Sequence, residues 1–256
     1  MRFTAAMLGT IHFLAGVGIS QGQTTISPTN STADFRIDID IYKDEQKPPI
    51  STVQTIFVDG KYIEVDDDRK RITVVDPGKG FITILDSEHK SRVELNMADL
   101  ERQLNSVLQN MSDEQRRGLS SDREPMVEVD NLVVIGNERL RYKFKPITPA
   151  NPTIAASYGD FANWSVRINA LFNRTPPFIR MQLNQLLIDQ RQLPAELRRL
   201  TVVVPPNEKE PQGKTEEIVA RLILKESLST SDRTRVASVM KSMNEYKWTS
   251  EKEFFR

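Results

Sequence analysis

The chain has 256 residues, with 35 Lys and Arg against 35 Asp and Glu, a formal net charge of zero and no cysteine. The charge balance argues against a protein that binds nucleic acid by neutralising phosphates, because that mode of binding needs a basic excess. The absence of cysteine excludes disulfides, thiolate metal sites and a lipid anchor on an N-terminal cysteine.

Residues 1–22 carry the pattern of a secretory signal peptide. Arg2 supplies one positive charge, and residues 3–19 are uncharged and mostly apolar, which is the order of regions in such a peptide. The apolar run is shorter than the 20 or so residues that a transmembrane helix needs. An uncleaved anchor and a buried first helix are the alternatives. We expect cleavage, a periplasmic or secreted location, and no stable membrane span in the mature chain.

Strand signals dominate residues 34–146, after a polar stretch at 23–33 that predicts a flexible linker. Residues 35–42 alternate apolar with polar side chains, which is the period of a strand with one buried face. Asp59-Gly60 is the dipeptide most typical of a type I′ hairpin. Further strands are predicted at 53–58, 62–65, 71–75, 81–85, 92–95, 127–129, 132–135 and 139–144. Short turns join most of them, so we expect an antiparallel meander.

Helical spacing of apolar residues appears mainly in the last third of the chain. The predicted helices are 97–111, 161–172, 177–193 and 231–243. Two short strands are predicted at 201–204 and 218–224, and 112–125 is interpreted as a loop. We expect one α+β domain over 34–256, mainly strands over 34–146 and helix-rich over 153–256. Its curved antiparallel β-sheet, a half-barrel-like meander, would carry helices packed on one face or in its mouth.

Catalytic motifs are absent from the sequence. His89 is the only histidine outside the predicted signal peptide, so a catalytic triad or a histidine metal site has little to draw on. We assign no catalytic residue, no metal ligand and no cofactor, and we expect a protein that is not an enzyme. A carboxylate-dependent hydrolase is the less favoured alternative, because a pair of acids brought together by the fold leaves no motif.

The order of hairpins resembles a known family. The segments 35–42, 55–64 (TIFVDGKYIE), 72–77 (ITVVDP) and 81–86 (FITILD) resemble the N-terminal half of periplasmic lipoprotein carriers and related lipid-binding envelope proteins. The resemblance covers residues 34–144 and is carried by the succession of hairpins, while the long helical C-terminal part departs from it. It implies a half-barrel that encloses acyl chains under a helical lid.

A half-barrel of this kind predicts a wall of apolar side chains for a lipid or another hydrophobic ligand. The candidate lining residues are Ile37, Ile39, Phe57, Ile72, Val74, Ile82 and Ile84. The alternative is that the same side chains form a closed core beneath the helices.

The second functional hypothesis is a structural or interaction protein of the cell envelope. Basic residues alternate with apolar ones over 139–145, and they could bind an anionic polymer or lipid head groups. These residues are Arg139, Arg141, Lys143 and Lys145. The alternative is an ordinary solvated face. The expected partners are therefore a lipid or an envelope protein, and no nucleic acid.

Overall fold

The structure is a computed structural model that describes residues 33–121, 124–128, 132–173, 176–203 and 214–255. The predicted signal peptide and all of the predicted linker except Ala33 lie outside these residues. The first part of the chain contains strands β1 (Phe35–Lys43), β2 (Ser51–Val58), β3 (Lys61–Asp66), β4 (Arg71–Asp76), β5 (Phe81–Asp86) and β6 (Ser91–Asn96), then helices α1 (Met97–Gln109) and α2 (Asp113–Leu119).

The second part alternates between strands and helices. It contains β7 (Met126–Val127), β8 (Val133–Gly136), β9 (Leu140–Ile147), α3 (Pro152–Asn173), α4 (Phe178–Asp189), β10 (Leu193–Val203), β11 (Lys214–Lys225), α5 (Thr230–Glu245), β12 (Lys247–Trp248) and α6 (Glu251–Phe254). Within the described part of the chain, no helix is both long enough and apolar enough to cross a bilayer.

All these strands belong to one sheet, in the order β12-β6-β5-β4-β3-β2-β1-β11-β10-β9-β8-β7. Strands β1 to β6 form the predicted meander, in which each strand pairs with the next in antiparallel fashion. Strand β11 then returns to pair with β1, and among the described strands only the short β12 pairs in parallel, with β6. The fold is therefore α+β with a mostly antiparallel sheet, as the sequence predicts.

The hairpin between β2 and β3 confirms the strongest local signal of the sequence. Asp59 and Gly60 have φ angles of 48° and 70°, and a type I′ turn requires positive φ at both central residues. The turn fixes the register, so that Phe57 lies opposite Tyr62 and Ile56 opposite Ile63. Side chains alternate along each strand, and these two pairs therefore lie on opposite faces of the sheet.

One face of the sheet, here called the α3 face, presents Phe35, Phe57 and Tyr62. Helix α3 packs on it through Tyr158, Phe161 and other side chains, and the start of α1 joins the same apolar cluster. Helix α4 packs on the same face of β8 and β9, where Ile179 and Leu183 contact Tyr142 and Phe144. This face therefore carries α1, α3 and α4.

The opposite face, here called the α5 face, presents Ile56, Ile63 and Val74. Helix α5 covers these residues with Val236, Val239 and other apolar side chains. The expectation that the helices share one face is thus wrong for α5. The physical reason is that β2 to β5 bury successive residues such as Ile56 and Phe57, and a strand that is apolar on both faces needs a cover on both.

Several elements differ from the sequence prediction: α3 begins at Pro152 rather than at residue 161, and β12 and α6 are not predicted at all. The segment 112–125, interpreted as a loop, contains α2, which begins with a capping box between Ser112 and Gln115 and buries none of its side chains. A helix without an apolar stripe gives no periodic signal. Strand β10 is eleven residues long rather than four, because residues 196–199, three of which are charged, are paired between β9 and β11.

Both edges of the sheet end in two-residue strands. At one edge β12 pairs with β6, and the Arg92 guanidinium lies 4.0 Å from the ring centroid of Trp248. At the other edge β7 pairs with β8, and Met126 and Val127 are exposed.

Helices α3 and α4 approach each other closely at Gly159, which is why we expect Gly159→Ala to lower the free energy of unfolding by about 2 kcal/mol. A Cβ at this position would collide with Cγ1 and Cδ1 of Ile188. Urea denaturation measures the change. Gly118→Ala in α2 is the matched control, since open space surrounds that glycine and alanine favours a helix. If Gly159→Ala cost as much stability in an Ile188→Ala background as in the wild type, the explanation would be contradicted.

Candidate functional site

The structure divides the seven predicted lining residues between the two faces of the sheet. Ile37, Phe57, Ile82 and Ile84 are buried in the cluster beneath α3, and Ile39 packs at the border of that cluster. Ile72 and Val74 lie with the α5 cluster. The seven residues therefore do not form one wall.

The register of β3 and β4 explains this division. Val74 lies opposite Ile63, and Val75 lies opposite Tyr62, so Val75 and not Val74 shares the α3 face. The sequence Val74-Val75 has no polar residue to mark the buried side. Alternation alone could not decide which of these residues lies on the α3 face.

A partly covered apolar surface lies on the α3 face, where Ile39 and Leu222 pack at the border of the α3 cluster and Leu197 at the border of the α4 cluster. We call it the apolar strip. Its members lie on three adjacent strands, all point to the α3 face by register, and are only half-buried: Ile39, Ile41, Leu197, Ile218, Ala220 and Leu222. At a strand spacing of about 4.8 Å the strip is about 10 Å wide, and from residue 218 to residue 222 it is about 14 Å long.

Charged residues cover the other side of the same three strands, and they are paired with one another. Arg198 forms ion pairs with Glu45, Glu196 and Glu217. Arg221 binds Glu196 at 3.1 Å and lies over the ring of Tyr42. The α5 face of β10 and β11 is therefore a network of neutralised charges.

Asp38 and Asp40, the carboxylates of β1, are also bound by their neighbours on this face. Asp38 accepts hydrogen bonds from Arg36 at 2.8 Å and from Gln54 at 3.2 Å. Asp40 accepts one from Thr52 at 2.9 Å.

Two arginines on the α3 face have a different environment. Arg199 of β10 and Arg180 of α4 form no ion pair with any described residue, and the Nε atom of Arg199 and one Nη atom of Arg180 are buried without a hydrogen-bond partner. The other Nη atom of Arg180 donates to the Tyr158 hydroxyl at 3.2 Å. Arg199 lies opposite Tyr142 on β9 and opposite Ile218 of the apolar strip.

Tyr142 lies between these two arginines, opposite Arg199 in the sheet and in the apolar cluster under α4. Burial raises the pKa of Tyr142, and the charges of Arg180 and Arg199 both act to lower it. Both cations are therefore close enough to act on one hydroxyl. Tyr142, Tyr158, Arg180 and Arg199, here called the arginine cluster, lie at the end of the apolar strip.

A second polar group ties α3 to the sheet. The Tyr62 hydroxyl donates to Asp160 at 2.9 Å. Burial raises the pKa of Asp160, and the Tyr62 hydrogen bond and the Arg167 charge oppose that rise. Arg167 also pairs with Glu101 of α1 at 3.6 Å. This chain of contacts holds α1, α3 and β3 together and gives the helical layer a fixed position.

The predicted basic surface is reproduced in part. Arg141, Lys143 and Lys145 alternate with the buried Tyr142 and Phe144, so all three point to the α5 face of β9. Lys143 binds Glu128 at 2.8 Å.

Arg139 is the one predicted basic residue that lies outside strand β9. It precedes β9, in the turn after β8. A small cleft beside Arg141, lined also by Glu124, Glu128 and Glu138, has a volume of about 60 Å³, far below the roughly 300 to 1,000 Å³ of ligand pockets.

Neither Arg180 nor Arg199 is among the residues predicted from the sequence. One lies in α4 and the other in β10, and Arg199 follows Arg198, whose side chain points the other way. The only signal that could have found them is the pairing of β10 with β9, which no local pattern reveals. No protein-family model matches the chain, and no curated protein shows significant similarity to it.

Proposed function

We propose that the protein is an exported, non-enzymatic binding protein that holds or carries a lipid or similar amphiphile on its α3 face. The observation that carries the proposal is the apolar strip, in which six half-buried apolar side chains adjoin one another on β1, β11 and β10. Apolar surface left at the centre of a sheet is a common mark of a binding site. The proposed export rests on the sequence of residues 1–22 alone.

The proposed ligand would occupy the strip and not the space beneath α3. The four predicted lining residues under α3 are fully packed, whereas Ile39 is half-buried and belongs to the strip. In this proposal the sheet curves as a half-barrel, α3 and α4 form its fixed cover, and an acyl chain enters beside them. The proposal thus keeps the carrier-like arrangement that the order of hairpins implies and moves its ligand to β1, β11 and β10.

Binding of laurate, followed by calorimetry, tests the proposal with two neighbouring positions of β11. We expect Leu222→Gln to weaken laurate binding about fivefold or more, because it removes apolar contact area from the strip. Ile223→Gln is the matched control. Ile223 is the next residue, it is exposed, and it points to the α5 face, so this change should leave the affinity as it was.

A second variant controls for a loss of binding that is caused by unfolding of Leu222→Gln. Ala220→Phe adds a side chain to the strip without removing a buried one and should also weaken binding, while thermal unfolding reports whether each variant is folded. Equal binding by Leu222→Gln and Ile223→Gln would contradict the proposed site. Failure of the wild-type protein to bind laurate, together with no co-purified lipid in protein from its own host, would reject the function.

The second candidate function is a structural or interaction protein of the cell envelope. It is favoured by Arg141 and Lys145, which are exposed and point to the same face of β9. Reversal of charge at Arg139, Arg141, Lys143 and Lys145 should then abolish binding to an anionic envelope polymer. Unchanged binding would end this alternative.

A further inference from the structure

We propose that the arginine cluster is a subsite for the anionic head group of the amphiphile whose chain lies along the apolar strip. The inference rests on the proposed function and adds to it the charge of the ligand. The head group would be a phosphate or a carboxylate, because the guanidinium fork binds both with paired hydrogen bonds.

Two adjacent arginines of β10 differ in their charged partners. Arg198 has three glutamates around it on the α5 face. Arg199, on the α3 face, forms no ion pair with a described residue, and its Nε atom is buried without an acceptor. A buried donor without an acceptor is costly, more so when it is charged. An anion at this position would remove that cost.

Arg180, like Arg199, has a buried nitrogen donor without an acceptor. One of its Nη atoms binds the Tyr158 hydroxyl, and the other is buried without a partner. Arg180 comes from α4, which packs on Tyr142, and Arg199 lies directly opposite Tyr142 on the neighbouring strand. Neither cation forms an ion pair with a described carboxylate, and a bound anion would lower the repulsion between them.

Among the described residues, no other charged side chain on this end of the α3 face forms an ion pair with either arginine. Lys43 lies opposite Ile218 and adds a further positive charge, and Glu216 lies one pair further along β11. The structure contains no salt bridge from Glu216 to either arginine. The arginine cluster therefore presents a net positive charge at the end of the strip.

The position of the cluster specifies the kind of ligand. Arg199 lies directly opposite Ile218, a member of the apolar strip, and two residues from Leu197, another member. A ligand that spans both features has an apolar chain and one anionic end. A free anion would use the cluster alone, and a neutral lipid would use the strip alone.

Calorimetry with three probes separates these ligands: laurate, its neutral counterpart 1-monolauroylglycerol, and inorganic phosphate. We expect the wild-type protein to bind laurate about tenfold or more tightly than the neutral ester, since hydrogen bonds to charged groups are the strong ones. Arg199→Gln and Arg180→Gln should each remove most of this preference and leave the affinity for the neutral ester within about twofold.

Arg141→Gln is the matched control. Arg141 precedes Tyr142, is exposed and points to the α5 face, so its loss changes the net charge equally without touching the arginine cluster. It should leave both affinities unchanged. A measurement on the wild-type protein avoids any folding defect of the variants: added salt should weaken laurate binding and not ester binding.

The outcomes distinguish the subsite from the proposed function. Equal affinity of the wild-type protein for laurate and the ester would overturn the subsite and leave the strip intact. Phosphate binding as tight as laurate binding would overturn it in favour of a site for a free anion. Equal loss of laurate and ester binding in Arg199→Gln would also overturn it. Absence of binding by laurate and ester alike would reject the proposed function and the subsite together.

Discussion

Replacing Phe57 by alanine is expected to lower the free energy of unfolding by about 4 kcal/mol. Phe57 is 2% exposed and stacks on Phe35, with ring centroids 4.0 Å apart. It also contacts Tyr62 and Phe161 at centroid distances of 5.3 and 5.6 Å. Its removal would leave a cavity between the sheet and α3 that the surrounding rings cannot fill.

Urea denaturation, monitored by circular dichroism, measures this loss for Phe57→Ala. Ile223→Thr is the control, because Ile223 is an exposed residue of the sheet and threonine keeps the β-branched shape; we expect a change below about 0.5 kcal/mol. A loss below about 1 kcal/mol for Phe57→Ala would mean that α3 is only loosely attached. That result would favour a helical lid that opens over the candidate residues beneath it.

Replacing Glu64 by glutamine is expected to raise the free energy of unfolding by about 3 kcal/mol at pH 8 and to leave it almost unchanged at pH 4. Glu64 lies on the α3 face between Thr55 and Thr73. Burial and the neighbouring Asp66 raise its pKa from 4.5 to about 7, against the charge of Arg69. A glutamine keeps the shape of the neutral carboxyl and cannot ionise.

The sign of the pH dependence follows from the proton counts. Between pH 4.5 and about 7 the unfolded chain has lost the Glu64 proton while the folded chain retains it. The unfolded state then binds fewer protons, so stability falls as the pH rises through this window and levels off above it. The difference in the free energy of unfolding between wild type and Glu64→Gln should grow from near zero to its full value over the same pH range.

Denaturation at a series of pH values measures that difference. Glu94→Gln makes the same substitution at an exposed position of β6 and should change the stability by less than about 0.5 kcal/mol at any of them. A constant difference between wild type and Glu64→Gln from pH 4 to pH 8 would contradict the burial of an ionisable carboxyl beside the apolar core.

Local signals in the sequence predicted the elements that depend on neighbouring residues. The Asp59-Gly60 turn, the alternation over 35–42 and the apolar stripe of α5 each need only a few consecutive side chains, and each appears in the structure. The pairing of β1 with β11 could not be predicted in the same way. It joins strands nearly 180 residues apart in the chain, and it decides which apolar side chains form the strip.

Membership of the candidate site depends on which face of the sheet a side chain occupies. For most of the site residues, the sequence alone does not reveal that face. The strict alternation of β1 puts Ile39 on the same face of the sheet as Phe35 and Ile37. Ile72 and Val74 were placed with it although Val74-Val75 gives no alternation to follow. Arg180 and Arg199 look like ordinary surface arginines in the sequence. Only the structure, in which α4 and β10 lie side by side, shows that each has a buried donor without a described partner.

The short strands at the two ends of the sheet bear on how the protein behaves at high concentration. A long free edge invites a strand from another copy, and successive additions of that kind build fibres. Here β12 and β7 offer two residues each, and β12 is held by Trp248 under Arg92. The described edges of this twelve-stranded sheet thereby end without a template for growth, which lowers the tendency of the concentrated protein to form fibres.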